Sequence, residues 1–140
     1  MEYRNYLNLK FLSVSENEGF ARLAIASFCS LRDVDVEQIA DIKTAVSEAV
    51  TNCVVHAYPE GVGEIEIACE IIDNEITISI IDQGIGINNI ELAKKPFYTS
   101  KPNEDRSGMG FAVMEGFMDK LDIDSIPGKG TKVSLYKKLA

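Results

Sequence analysis

Two stretches, EIEIACEII over Glu64–Ile72 and EITISIID over Glu75–Asp82, are separated by only Asp73-Asn74. In each, every second residue is apolar: Ile65, Ile67, Cys69 and Ile71 in the first, Ile76, Ile78 and Ile80 in the second. A period of two is that of a strand with one face in a core. A two-residue polar link between such strands predicts a hairpin, and hence antiparallel sheet. The same alternation at Leu7, Leu9 and Phe11 predicts a strand over residues 6–14. Two further strands are predicted over 121–126 and 131–137, joined by Pro127-Gly-Lys-Gly130, where a tight turn accounts for both glycines.

Between these strands the period changes. Ser15-Glu-Asn-Glu18 fits a capping box and predicts a helix to about residue 31, with Phe20, Leu23, Ala24 and Phe28 on its inner face. Asp35-Val-Glu-Gln38 fits a second box. It opens the longest helix, which runs to about Ala57, where Pro59 prevents continuation. Its core stripe is Ile39, Ile42, Val46, Ala49, Val50 and Cys53. A short helix is predicted over 89–95, stopping before Pro96. Residues 96–107 read as a polar surface loop, and helical spacing resumes over 110–120. The expected fold is α+β: a two-layer sandwich of a mainly antiparallel (mixed) sheet with helices on one face. One domain is expected over 1–140; sheet order is not legible.

Composition narrows the function. Of 140 residues, 46% are hydrophobic and 26% charged, as in ordinary globular chains. A net charge of −8 argues against direct nucleic-acid binding, which needs a cationic surface. No apolar run approaches the ~20 residues of a membrane span. The N-terminus lacks the pattern of a signal peptide, so a cytoplasmic protein is expected. Cys29, Cys53 and Cys69 are odd in number and far apart, and read as small buried apolar residues rather than a zinc or disulfide set.

Three polar clusters stand out from this background. On the long helix, Asp41, Ala45, Glu48, Asn52 and His56 fall along one line at helical spacing. Glu48 and Asn52, one turn apart, can converge on one object. An amide oxygen suits Mg²⁺, and a carboxylate can take a proton from an attacking hydroxyl. Taken alone, the pair reads first as a solvated helix edge, and His56 as a donor to the last carbonyls of the helix. In Asp82-Gln-Gly84-Ile-Gly86, a carboxylate ends a strand of isoleucines, where it needs a partner. It can accept from an exocyclic amine such as that of adenine. Gly84 and Gly86 allow close approach to a flat ligand. An ordinary strand-to-loop turn explains the same residues. In Arg106-Ser107-Gly108-Met-Gly110, glycines open a helix whose N–H groups can cradle phosphate, with Lys101, Arg106 and Ser107 as further donors. A flexible helix entry is the plain alternative. Neither a Rossmann fingerprint nor a P-loop is present. Thr131 reaches Asp82 if their strands are neighbours.

Together, Glu48-x-x-Thr-Asn52-x-x-x-His56-Ala, Asp82-x-Gly84-x-Gly86 and Gly108-x-Gly110 resemble the N, G1 and G2 boxes of the GHKL ATPase and kinase superfamily. The longer strings SEAVTNCVVHAY, PFYTSKPNEDRSGMGF and VMEGFMD are similar to those of the anti-sigma factor serine kinases of spore-forming bacteria. The resemblance spans nearly the whole chain. It implies a Bergerat-type ATP site and ATP-dependent phosphorylation of a serine on an anti-anti-sigma protein. It also implies sequestration of a sigma factor by a homodimer. Residue by residue, it implies Asn52 as Mg²⁺ ligand, Glu48 as base, and Asp82 with Thr131 at the adenine amine. Gly84 and Gly86 would shape the adenine pocket, and Gly108 and Gly110 would bind phosphates. Residues 96–107 would form an ATP lid, with Thr99, Lys101, Arg106 and Ser107 as contacts. Two rivals remain. A histidine-kinase ATP domain would need a phospho-accepting histidine in a dimerising helix pair, and the only histidine is His56, in a chain that opens on its first strand. A nucleotide-gated binding module would present the first strand and helix, including Arg22, without transferring phosphate.

Overall fold

The isoleucine hairpin sits inside one antiparallel sheet. The computed structural model describes residues 3–95 and 110–139. Its five strands are β1 (Arg4–Leu12), β2 (Glu64–Ile72), β3 (Glu75–Asp82), β4 (Lys120–Ile126) and β5 (Gly130–Lys138). Their order is β1-β2-β3-β5-β4, and every pairing is antiparallel, so no mixed register occurs among the described strands. Asp73 takes the turn between β2 and β3 with φ 53°, a left-handed conformation that Asp tolerates.

The helices are α1 (Glu16–Cys29), α2 (Val36–Asn52), the four-residue α3 (Ile90–Ala93) and α4 (Gly110–Phe117). α2 packs against both α1 and α4. The inward residues of β2, β3 and β5 join those of α1, α2 and α4 in a single apolar cluster, including Ile65, Ile67, Ile78, Ile80, Leu135, Ile42, Val46 and Met114. Helices thus cover one face of the sheet, and burial of this surface is the main stabilising term.

Several local expectations are corrected. The inner face of α1 is Ala21, Ile25, Ala26 and Cys29, while Phe20 is 59% and Leu23 57% exposed. Ala21, Ile25 and Cys29 recur at intervals of four and let the helix lie close to its neighbours; Phe20 and Leu23 point outward, while Phe28 is half-buried and packs against the core as expected. Neither capping box forms by its side chain. Glu18 instead meets the Ser47 hydroxyl and lies 3.6 Å from Arg22, and Gln38 Nε2 donates to the Lys138 carbonyl across 3.0 Å. Tertiary partners have replaced the local caps. α1 ends at Cys29 rather than near residue 31, and α4 ends at Phe117 because Lys120 already pairs in β4.

Candidate functional site

The long helix changes repeat at its end. After Asn52 the chain continues as a π-helical turn, Cys53–Ala57. Such widened turns are frequent at functional sites. This turn leaves the Ala57 carbonyl to accept from Ile85 N across 2.9 Å, tying the helix end to the Asp82–Gly86 loop. A Cβ on Gly84 would lie 2.1 Å from that same carbonyl oxygen. Gly84 is therefore required by close approach of the chain to itself rather than to a ligand. Gly86 has φ +76°, and a Cβ there would meet the Ile126 carbonyl at 2.4 Å. Tyr58 adds a clamp: its hydroxyl donates to Glu64 O across 2.6 Å and accepts from Gln83 N across 2.8 Å.

Asp82 ends β3 and is only 6% exposed. Burial pushes its carboxyl above the usual range, opposed by donors from the Gly84 N–H, the Cys53 thiol and the Thr131 N–H. Gly84 N donates to Oδ1 across 2.9 Å, and Cys53 Sγ donates to Oδ2 across 3.4 Å. Burial, then the neighbouring Asp82 charge, holds the Cys53 thiol well above its ordinary pKa, so it stays protonated. Asp82 is the register partner of Thr131, which fulfils the condition for their meeting. The Thr131 hydroxyl lies 2.8 Å from Ser125 Oγ, and Ser125 Oγ accepts from Ile87 N across 2.8 Å.

These elements enclose a cavity of ≈ 320 Å³, within the size range of small-molecule sites. Of the residues singled out from sequence, Asn52, Asp82, Gly86, Gly110 and Thr131 line it, and so does His56. They come from α2, its π turn, the β3 end, the start of α4 and β5. Gly110 lies against Asn52: a Cβ on it would sit 3.0 Å from Asn52 Oδ1. Gly84 and Glu48 are not among the lining residues. Gly84 acts through Asp82. Glu48 is half-buried on α2, one turn before Asn52. The expected single line of polar residues is broken at Ala45, which is fully buried, while Asp41 lies 3.7 Å from Lys137. Thr99, Lys101, Arg106, Ser107 and Gly108, with the lid expected over 96–107, lie outside the described residues. Lys94 and Glu115, on either side of that segment in sequence, approach to 3.5 Å.

Sequence reasoning missed part of the wall. Cys53 was expected in the core; it is buried but also lines the cavity beside Asp82. Its position one residue after Asn52 was the available signal. Ile85, Leu92, Phe111 and Val133 give the cavity an apolar surface suited to a flat ring, and Ser125 was not singled out at all. α3 is shorter than expected, and Asn89 Oδ1 caps it by accepting from Leu92 N across 3.0 Å.

Among the described residues no group of three or more His, Cys, Asp or Glu side chains is placed to hold a metal. Asn52 offers one hard oxygen of the kind that suits Mg²⁺, and phosphate oxygens and water could supply the rest.

Comparison with known proteins agrees with the geometry. Residues 15–137 match the model of the histidine kinase-like ATPase domain. An anti-sigma F factor of Caldanaerobacter subterraneus subsp. tengcongensis is 55% identical over 137 residues, covering 98% of this chain and 96% of that protein. One from Clostridium acetobutylicum is 54% identical over 136 residues, covering 97% and 95%. The RsbU and RsbW domains of a Mycobacterium tuberculosis protein share the fold with TM-score 0.69 at 21% identity, covering 96% of this chain and 32% of that one. With near full-length identity above one half, the chain belongs to the anti-sigma F factor family, built on a histidine kinase-like ATPase domain.

Proposed function

We propose that this protein is an ATP-dependent protein serine kinase, a single domain that phosphorylates an anti-anti-sigma protein and sequesters a sigma factor, acting as a homodimer in the cytoplasm. The observation that carries the ATP site is convergence: residues from three clusters far apart in sequence line one cavity. The sigma-factor partner is supported by the names of the relatives, which are anti-sigma F factors; the anti-anti-sigma substrate and the homodimer are what the resemblance of the sequence strings implies.

In this reading adenine lies against Ile85, Leu92, Phe111 and Val133, and its exocyclic amine donates to Asp82. The triphosphate extends toward Asn52 and the glycine-opened start of α4, where N–H groups and the helix dipole favour negative charge. Mg²⁺, held by Asn52 and phosphate oxygens, would neutralise charge on the phosphates. The substrate serine Oγ attacks the γ-phosphorus, the bond to the β–γ bridging oxygen breaks, and ADP leaves. Glu48 accepts the serine proton. The chain thus supplies placement and charge, and the nucleophile comes from the partner protein.

A histidine-kinase role is disfavoured because His56, the only histidine, lies in the π turn and lines the cavity itself. Incubation with γ-labelled ATP and the candidate acceptor tests the proposal. Acid-stable label on an acceptor serine is expected. Acid-labile label would overturn the serine assignment in favour of histidine, and no label would overturn the kinase reading and leave a nucleotide-gated binder.

A further inference from the structure

Asp82 presents two carboxylate oxygens with about four acceptor positions. Gly84 N–H occupies one on Oδ1, the Cys53 thiol occupies one on Oδ2, and the Thr131 N–H takes a third. The Gly84 contact comes from the same loop as Asp82 and moves with it. The Cys53 contact comes from a different element, the π turn that follows α2. The thiol is therefore a link between the helix that carries Asn52 and the strand end that carries Asp82. Both Cys53 and Asp82 line the cavity, so the plane of the carboxylate there is set by this link together with the Gly84 and Thr131 N–H donors.

We propose that Cys53 is a positioning residue for base recognition: its S–H anchors Asp82 Oδ2 so that the carboxylate's remaining acceptor position is aimed at the exocyclic amine of a bound adenine. The proposal rests on the reading of the cavity as an adenine site. An apolar side chain of similar size would fill the same space and leave Oδ2 without its donor. A hydroxyl would keep a donor at the same branch point. Cys53 meets Asp82, so in this reading its effect falls on the base end of the ligand.

The test is calorimetric titration with two nucleotides, ATP and purine riboside triphosphate, which lacks the exocyclic amine. Wild type, Cys53→Ala and Cys53→Ser are compared. The expected result is that Cys53→Ala weakens ATP binding roughly three- to tenfold, the size of one modest hydrogen bond. It leaves binding of the amine-free analogue unchanged, and Cys53→Ser restores most of the preference for ATP. If Cys53→Ala discriminates between the two nucleotides as well as wild type does, the proposal is overturned while the adenine site stands. Equal loss of both nucleotides in Cys53→Ala makes Cys53 a packing residue and also overturns it. If wild type itself binds both nucleotides equally, the adenine reading falls and takes the proposal with it.

Discussion

The two ends of the cavity are built in different ways. At the Asp82 end, backbone and side chain are locked together: Gly84, Cys53 and Thr131 donate to the carboxylate, Ala57 holds Ile85, and Ser125 holds Ile87. At the Asn52 end, a single side chain of α2 lines the cavity, with Glu48 half-buried one turn earlier on the same helix. The first end is suited to recognising a rigid ring. The second is suited to a reacting group that must meet a second protein. In the proposed reading, recognition falls to a buried, cross-linked loop and chemistry to a helix edge. This division is expected where placement of both substrates dominates catalysis.

If the division holds, substitutions at the two ends should fail differently. The largest effect is expected from Glu48→Ala, which should lower the rate of serine phosphorylation by about 10²–10⁴-fold. ATP affinity in that variant should stay close to wild type; lost affinity with normal turnover would reverse the assignment. Asn52→Ala should weaken magnesium-dependent nucleotide binding by at least about tenfold. Binding measured with magnesium and with chelator should then converge, and an unchanged magnesium dependence would refute the ligand role.

At the other end the first casualty should be the fold. Gly84→Ala places a methyl 2.1 Å from the Ala57 carbonyl oxygen. The resulting overpacking should cost about 1–3 kcal/mol in thermal or denaturant unfolding. An unaltered midpoint would mean that the loop is looser than its contacts imply. A smaller effect should appear with pH. Burial raises the Asp82 carboxyl, so its folded pKa stands above its unfolded one. The ionised group then costs stability at neutral pH, and that cost is relieved as pH falls through the raised value. Ligand-free wild type should gain stability relative to Asp82→Asn over this window, while ATP, which takes the charged form, should bind more weakly. Melts at a series of pH values, with and without ATP, check the opposite signs.

The contrast also explains what could be read from sequence. The β2–β3 hairpin was legible to the residue because the alternation fixes which face turns inward and the two-residue Asp73-Asn74 link fixes the register. The inner face of α1 was not, because two stripes compete at helical spacing. The choice went to the larger side chains, Phe20 and Leu23, when the small Ala21 and Cys29 with Ile25 permit closer packing. At the site, residue type and spacing singled out Asn52, Asp82, Gly86 and Gly110, with Thr131 conditional on strand order, and the family resemblance tied them together; all five line one cavity. Cys53 was not, since a cysteine on a core stripe carries no sign of the carboxylate it will meet from a strand 29 residues away. The placing of β5 beside β3, which brings Thr131 to Asp82, is a property of sheet order that local pattern does not encode.

The account depends on one cavity that takes adenosine triphosphate at Asp82. Titration calorimetry of wild type and Asp82→Asn with ATP and magnesium tests this most directly. Wild type should give saturable heat for one site per chain, and Asp82→Asn should bind at least about tenfold more weakly, the loss expected for a charge-assisted hydrogen bond. No heat with wild type, or equal affinity in the two proteins, would contradict it.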